Sequence, residues 1–65
     1  MSLTRREIQI ISSVAEGNTQ SETAKLLGIN SLTVNTYLDR IREKLNASNT
    51  VHAVAIAVKQ KIITL

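Results

Sequence analysis

The stretch ETAKLLGINSLTV, from Glu22 to Val34, decides the fold of this chain. Ala24 is small, which suits a point where two helices cross, and Gly28 stands where a tight turn is needed. A turn at positive φ is cheap only for glycine. Val34 follows as an apolar residue that can pack the second helix against the first. This spacing predicts a helix-turn-helix, two helices joined by a short turn.

The sequence after the turn, SLTVNTYLDRIREKL, predicts a long amphipathic helix over Ser31–Leu45 with Asn30 as its N-cap. Its apolar residues recur at helical spacing and therefore share one face: Val34, Leu38, Ile41 and Leu45. The other face is polar over the first two turns, where it carries Asn35, Thr36, Asp39 and Arg40. Burial of the apolar stripe does not account for this polar face.

Two capping boxes mark the starts of the first two helices. The paired residues are Thr4 with Glu7 and Thr19 with Glu22. Each helix then ends at a glycine, Gly17 or Gly28. The predicted core faces are Ile8, Ile11, Val14 and Ala15 in the first helix, and Thr23, Ala24 and Leu27 in the second. The second helix is barely two turns long, so we expect its neighbours to hold it in place.

The last part of the chain predicts a fourth helix, capped by Asn49 and running from Thr50 to about Ile63. It carries two apolar stripes, although a surface helix of a small monomer needs only one. The first stripe is Val51, Ala55, Val58 and Ile62, and the second is Ala53, Val54 and Ala57. We expect the second stripe to face the core and the first to form a homodimer interface. The alternative is one broad face buried within the monomer.

Length and composition predict a single all-α domain over residues 1–65. Hydrophobic residues make up 43% of the chain and are nearly all aliphatic. The sequence has no Cys, which excludes disulfides and thiolate metal sites and suits a reducing, cytoplasmic setting. The longest apolar run, AVAIAV, is far shorter than a membrane span of about 20 residues. Met1 followed directly by a helix start fits either a small complete protein or a domain excised from a longer one.

The net charge of +3 is unevenly distributed along the chain. Residues up to Thr23 carry a balance of −1, whereas residues from Ala24 onward carry a balance of +4. A basic bias in one half of a domain indicates an anionic partner such as nucleic acid. The alternative is a solvated surface that happens to be basic.

Several signatures in order give the chain a clear resemblance to a known family. They are LTRRE at Leu3–Glu7, EGNTQSETAKLLGIN at Glu16–Asn30, TV at Thr33–Val34, IREKL at Ile41–Leu45 and an Ala-rich last helix ending in II. Over essentially its whole length, the chain resembles the C-terminal DNA-binding domain of LuxR/GerE bacterial transcription regulators. The resemblance implies four helices, the third entering the DNA major groove and the fourth forming a dimer.

The resemblance also implies which residues contact DNA. Recognition helices read base edges with their N-terminal turns, and Asn35, Thr36 and Asp39 match positions that the family uses for this purpose. The predicted base-reading residues are Ser31, Leu32, Asn35, Thr36 and Asp39. The predicted contacts to the DNA backbone are Thr19, Gln20, Ser21, Thr33, Tyr37, Arg40, Arg42 and Lys44, of which Lys44 matches a family position. For Arg42 and Glu43 the alternative is a solvated surface position.

Four residues depart from the family pattern. Asp39 stands where relatives often carry a basic residue, so it either sets specificity, which we favour, or deters binding to wrong sites. Tyr37 replaces a frequent His, and its ring has the alternative of packing on the helix surface. Thr50 stands where Arg is common, which puts a structural contact at the start of the fourth helix in doubt. Thr23 replaces an aliphatic residue, which predicts looser packing.

Other functions have less support in the sequence. His52 is the single His and Cys is absent, so we expect no enzyme activity, no metal site and no cofactor. The main rival is a protein-interaction module that binds a partner helix through the Val51–Ile62 stripe. A membrane-surface helix lacks the expected aromatic and Lys-rich pattern. The resemblance further implies an upstream sensor domain and RNA polymerase as possible partners.

Overall fold

The computed structural model describes residues 2–64, and these form four helices and no strand. The helices are α1 (Arg5–Ala15), α2 (Gln20–Leu27), α3 (Ser31–Leu45) and α4 (Thr50–Lys59). Within this described range, no helix is long and apolar enough to cross a membrane. The predicted all-α, four-helix architecture is therefore confirmed.

Each helix begins at its predicted cap. In α1 the N–H of Glu7 donates to Thr4 Oγ1 at 3.2 Å, and the N–H of Thr4 donates to Glu7 Oε1 at 2.8 Å. The same reciprocal pair forms at α2 between Thr19 and Glu22, at 3.0 and 2.7 Å. The two later helices start after the predicted asparagine caps, Asn30 and Asn49. The N-terminal N–H groups that these caps bind would otherwise lack partners within the helix.

All four helices end with the chain turning through a residue at positive φ. Gly17 (φ 97°) and Gly28 (φ 67°) do so as predicted, and Asn46 (φ 55°) and Lys61 (φ 60°) do so after α3 and α4. At each end the next N–H donates back to a carbonyl in the last turn, for example from Ile62 to Ala57 at 2.8 Å. This is the hydrogen-bond pattern of a Schellman motif.

The prediction that α4 continues to about Ile63 is wrong. The helix ends at Lys59, and Lys61 then reverses the chain. This reversal brings Ile63 into the core, where it is buried, while Ile62 packs half-buried against the same core. Ile62 therefore does not continue the stripe of Val51. Helical spacing predicted the wrong end because Ile62 and Ile63 continue the apolar spacing of α4 even though they follow a turn.

The core lies around α3, which packs against α1, α2 and α4. Its stripe of Val34, Leu38 and Ile41 is buried as predicted, and Leu45 is half-buried. On α4 the second predicted stripe faces the core, with Ala53 and Ala57 buried. On α2, Ala24 is buried beside α3 as the crossing of two helices requires.

The residues buried on α1 are only partly those that the sequence predicted. Ile10 and Ile11 are fully buried, whereas the predicted residues Ile8, Val14 and Ala15 are only half-buried. The α1 helix contacts three other helices, so its buried face is broad and centres nearer Ile10 than periodicity alone indicated.

Thr23 does not loosen the core. It is fully buried, and its hydroxyl hydrogen bonds to that of Ser13 on α1 at 2.7 Å. The side-chain amide of Asn18 also donates to Ser13 Oγ at 3.1 Å. A buried hydroxyl is costly only when it has no partner. This cluster therefore joins α1 to α2 with polar contacts that an aliphatic residue at position 23 could not make.

A buried ion pair connects α1 to the last turn of α3. Lys44 Nζ donates to Glu7 Oε1 at 2.8 Å, and Glu7 is only 1% exposed. Burial raises the pKa of Glu7, but the hydrogen bond and charge of Lys44 and the hydrogen bonds of Thr4 lower it further, so the pKa lies below its ordinary value. Lys44 keeps 22% of its side chain exposed and can reach water if the pair is broken.

We predict that the two halves of this pair are unequal. Lys44→Met leaves a buried carboxylate without its ammonium, and we expect the free energy of unfolding to fall by roughly 2–4 kcal/mol. Glu7→Gln keeps an acceptor for Thr4 and lets Lys44 extend into water, so about 1 kcal/mol should be lost. Urea unfolding at pH 7 measures both, with Lys25→Met, at an exposed lysine of α2, as the control. Equal losses for the two variants would contradict the burial of Glu7.

We also predict a pH dependence from Glu7. Because its pKa is lower when folded than when unfolded, its contribution to stability is complete above the ordinary value of about 4.5 and is lost as the pH falls through the folded value. Unfolding of the wild type followed from pH 7 to pH 3 should show this decline, and Glu7→Gln should flatten it. A Glu7→Gln profile parallel to the wild type would contradict the assignment.

Candidate nucleic-acid interface

The polar face of α3 is exposed along its first two and a half turns. Asn35, Thr36, Asp39 and Arg40 all lie at the surface, opposite the buried stripe. At the start of the helix Ser31 is exposed, and the apolar side chain of Leu32 is 75% exposed. The structure thus brings the five predicted base-reading residues onto the exposed side of one helix: Ser31, Leu32, Asn35, Thr36 and Asp39.

Hydrogen bonds hold the first turn of α3 in place. The N–H of Leu32 donates to Asn30 Oδ1 at 2.7 Å, and Gln20 Nε2, from the start of α2, donates to the carbonyl of Ser31 at 3.0 Å. Thr36 Oγ1 donates to the carbonyl of Leu32 at 3.1 Å. With its hydrogen engaged in this way, Thr36 offers an outside partner its methyl group and an acceptor oxygen. The part of the helix that carries Leu32 is therefore tied to α2.

Tyr37 and Arg40 form a pair on the exposed side of α3. The guanidinium carbon of Arg40 lies 5.8 Å from the centroid of the Tyr37 ring, within the range of a cation–π contact. Tyr37 is half-buried and packs against the hydrophobic core. Arg40 has no carboxylate within ion-pair distance among residues 2–64. Its charge is thus available to an external anion.

Arg42 links α3 to α4. One guanidinium nitrogen donates to Asp39 Oδ1, three residues earlier on the same helix, and another donates to Thr50 Oγ1 at 3.3 Å. Sequence reasoning missed both contacts, although the spacing of three between Asp39 and Arg42 was an available signal. Thr50, which stands where relatives often carry Arg, thus makes a structural contact of its own, with Arg42 as the donor and Thr50 as the acceptor.

The cations predicted to contact phosphate are in different environments. Arg42 and Lys44 each have a carboxylate partner, Asp39 and Glu7 respectively. Thr33, another predicted backbone contact, is exposed on the first turn of α3 and has an uncharged hydroxyl group. Of the predicted cationic contacts, Arg40 is thus the one whose charge is least neutralised within the described part of the chain.

Three predicted backbone contacts, Thr19, Gln20 and Ser21, lie at the N-cap and first turn of α2. Thr19 and Ser21 are exposed and Gln20 is half-buried. Hydrogen bonds from the backbone and side chain of Thr19 hold the pKa of Glu22 below its usual range. The carboxylate of Glu22 therefore adds a negative charge to a helix end whose dipole attracts anions.

The outer face of α4 is apolar and exposed. Val51 is 79% exposed and Val58 is 37% exposed, and Ala55 lies at the surface between them. These positions follow the i, i+4 and i+7 spacing of one helix face. Of the four residues predicted for a dimer interface, Ile62 is the exception, because it follows the end of α4 and packs against the core.

His52 belongs to the cap of α4. Its Nδ1 accepts a hydrogen bond from the N–H of Ser48 at 3.0 Å, and its own N–H donates to Asn49 Oδ1 at 2.8 Å. Residues 2–64 hold no cluster of three His, Cys, Asp or Glu side chains that could bind a metal ion. His52 is exposed on α4, as predicted.

Comparisons with known proteins identify the family of this chain. Residues 1–57 match the family described as bacterial regulatory proteins, luxR family. The chain is 43% identical over 63 residues, 97% of its length, to the HTH-type quorum sensing-dependent transcriptional regulator VjbR of Brucella ovis, and covers 24% of that protein. It is 39% identical over 61 residues to the transcriptional activator protein BjaR1 of Bradyrhizobium diazoefficiens, covering 94% of this chain and 25% of that protein.

A third relative is similar to the same extent. The transcriptional activator protein AnoR of Acinetobacter nosocomialis is 39% identical over 56 residues, which is 86% of this chain and 24% of AnoR. The chain thus spans about a quarter of the length of the curated relatives that it matches. The family is one of helix-turn-helix transcription regulators and is not enzymatic. This chain belongs to the luxR family of bacterial regulatory proteins.

Proposed function

We propose that this domain binds double-stranded DNA at specific sequences, with α3 lying in the major groove, as the DNA-binding part of a transcription regulator. The observation that carries the proposal is the two-sided character of α3. Val34, Leu38 and Ile41 are buried among the other helices, which leaves a continuous polar face on the outside. An α-helix fits the major groove of B-DNA, where each base pair presents its own pattern of donors and acceptors.

The exposed side chains have the chemistry for reading bases. Asn35 can bond adenine N6 and N7 together, and Asp39 can accept from the N4 amine of cytosine. Leu32 and the methyl group of Thr36 can contact the methyl group of thymine, and the hydroxyl of Ser31 can serve as donor or acceptor. Each of these contacts is a proposal for one base pair within a half-site.

Contacts to the DNA backbone would come from both sides of this face. Arg40 supports this part of the proposal best, since it has no carboxylate partner among residues 2–64 and its guanidinium lies over the Tyr37 ring. Lys44 retains donors beyond the one bonded to Glu7 and stays a candidate. The remaining candidates are Thr19, Gln20, Ser21, Thr33, Tyr37 and Arg42.

We further propose that two copies bind an inverted repeat through their α4 helices. The exposed apolar face of Val51, Ala55 and Val58 supports this interface, because a two-fold axis can pair the face with itself. We also propose that an upstream sensor domain controls DNA binding, that the regulator contacts RNA polymerase, and that it is located in the cytoplasm. The curated relatives extend well beyond the matched region, which leaves room for such a sensor in a longer regulator.

The second candidate function is a protein-interaction module that uses the same α4 face. It accounts for the exposure of Val51 and Val58, but it does not account for the polar face of α3. A helix-binding module has no need for Asn35, Thr36 and Arg40 on the exposed turns of its longest helix.

Selection of binding sites from a pool of random duplexes tests the two functions against each other. The chain is incubated with the pool at about 150 mM salt, at which screening suppresses non-specific binding. Enrichment of a defined sequence would support base reading, and an inverted repeat with fixed spacing would support the dimer. Absence of any enriched sequence would contradict sequence-specific binding by this domain.

Asn35→Ala should lose discrimination at one base pair. Removal of a bidentate contact to adenine costs about 1–3 kcal/mol there and relaxes the preference for that base. Arg40→Gln serves as the contrasting variant, since loss of a phosphate contact should weaken all sequences alike and lower the salt slope by about one. Fluorescence anisotropy on duplexes with single base-pair changes measures both. Uniform weakening by Asn35→Ala would make Asn35 a backbone contact instead.

Val51→Glu and Val58→Glu should prevent the dimer while leaving the domain folded. Each places a charge on the exposed α4 face, where a partner helix would bury it at high cost. Sedimentation of the protein with a duplex carrying two half-sites should show one copy bound instead of two, with unchanged helicity by circular dichroism. Gln9→Glu, at an exposed position of α1, is the control for added charge. A wild-type chain already bound as a single copy would contradict the proposed interface.

A further inference from the structure

The Arg42 side chain is placed differently from the other cations of α3. Its guanidinium bridges Asp39 on the outer face of α3 and Thr50 in the first turn of α4. Both contacts use donors of the same planar group, whose fork geometry sets their relative direction. Arg42 itself is half-buried, whereas Asp39 is exposed. The guanidinium therefore has one anchor in the fold and one contact at the proposed DNA surface.

The contact with Arg42 bears on the negative charge of Asp39, which lies on the proposed DNA surface of α3. A carboxylate close to DNA phosphates is repelled, and like charges brought together at an interface are costly. Arg42 offsets that charge and holds Oδ1. The second oxygen, Oδ2, has no hydrogen bond from residues 2–64. One acceptor oxygen of defined direction is thus left on the outer face of α3.

We propose that Arg42 is a positioning residue for base reading, which holds Asp39 so that its free oxygen accepts a hydrogen bond from the N4 amine of one cytosine. This inference rests on the proposed function and deepens it, because it gives Arg42 the role of positioning Asp39 for that contact. It also removes Arg42 from the phosphate contacts, since its charge serves Asp39. Thr50 supports the arrangement by holding the guanidinium from α4.

The Arg42 contact is unlike the buried Glu7–Lys44 pair in its effect on folding. Exposed ion pairs at a spacing of three residues stabilise helices only slightly. Removal of Arg42 also loses the hydrogen bond to Thr50, so we expect unchanged helicity and a small loss of stability, which circular dichroism and urea unfolding measure. A change in sequence preference can then be attributed to the position of Asp39.

The test is a double-mutant cycle with Asp39→Asn, Arg42→Gln and both together. The double variant has the same net charge as the wild type, because one negative and one positive charge are removed. Arg42→Gln should reduce discrimination for cytosine about tenfold at one base pair, and Asp39→Asn should affect that same base pair. In the Asp39→Asn background, Arg42→Gln should have no further effect, and the salt slope of the double variant should equal that of the wild type.

Thr50→Val tests whether the position of Arg42, and not only the stability of the fold, determines discrimination at that base pair. It removes the acceptor for Arg42 while keeping the shape of the side chain, and it should reduce discrimination at the same base pair by less than Arg42→Gln does. Thr64→Val, at an exposed position after the end of α4, is the matched control and should leave that base pair unaffected.

Two results would overturn the inference while leaving the proposed function intact. In the first, Arg42→Gln weakens all duplexes equally and lowers the salt slope by about one with either residue at position 39, as a phosphate contact does. In the second, Asp39→Asn leaves every base preference unchanged. A wild-type chain with no preferred sequence would instead overturn the proposed function, and the inference with it.

Discussion

Burial of one side of α3 is the constraint on which the rest of the structure depends. Val34, Leu38 and Ile41 need apolar neighbours, and α1, α2 and α4 supply them from three directions. A chain of 65 residues has no other place for a core, so the three shorter helices are arranged around the longest one. The polar side of α3 is then exposed as a consequence. Core packing and the proposed DNA surface are two faces of the same helix.

Polar contacts add to the stability that the small hydrophobic core provides. Every helix has a side-chain cap at its start and a reversal at positive φ at its end, so few terminal groups depend on water. Inside the domain, the Ser13–Thr23 contact joins α1 to α2 and the Glu7–Lys44 pair joins α1 to α3. The contact of Arg42 with Thr50 adds a link to α4. These polar contacts therefore connect α3 to α1 and to α4, and α1 to α2.

Local signals in the sequence predicted most of this fold. Caps, glycine turns and helical spacing depend on neighbouring residues, so they located the helix starts and the exposed face of α3 correctly. Contacts between distant residues were not predicted, because Lys44 and Glu7 lie 37 positions apart and no local pattern joins them. The end of α4 was missed for a similar reason, since the burial of Ile63 depends on the tertiary core. The roles of the DNA-contacting residues are still proposals, supported by family resemblance and by exposure.

The placement of α3 in the major groove can be tested most directly by observing which protons of this domain lie near major-groove protons of its selected duplex. Intermolecular nuclear Overhauser effects report such distances, and the thymine methyl and cytosine H5 protons both lie in the major groove. We expect contacts from Leu32, Asn35 and Thr36 to these protons, with none from α4. Contacts confined to minor-groove protons, or contacts made by another helix, would contradict the placement of α3 in the major groove.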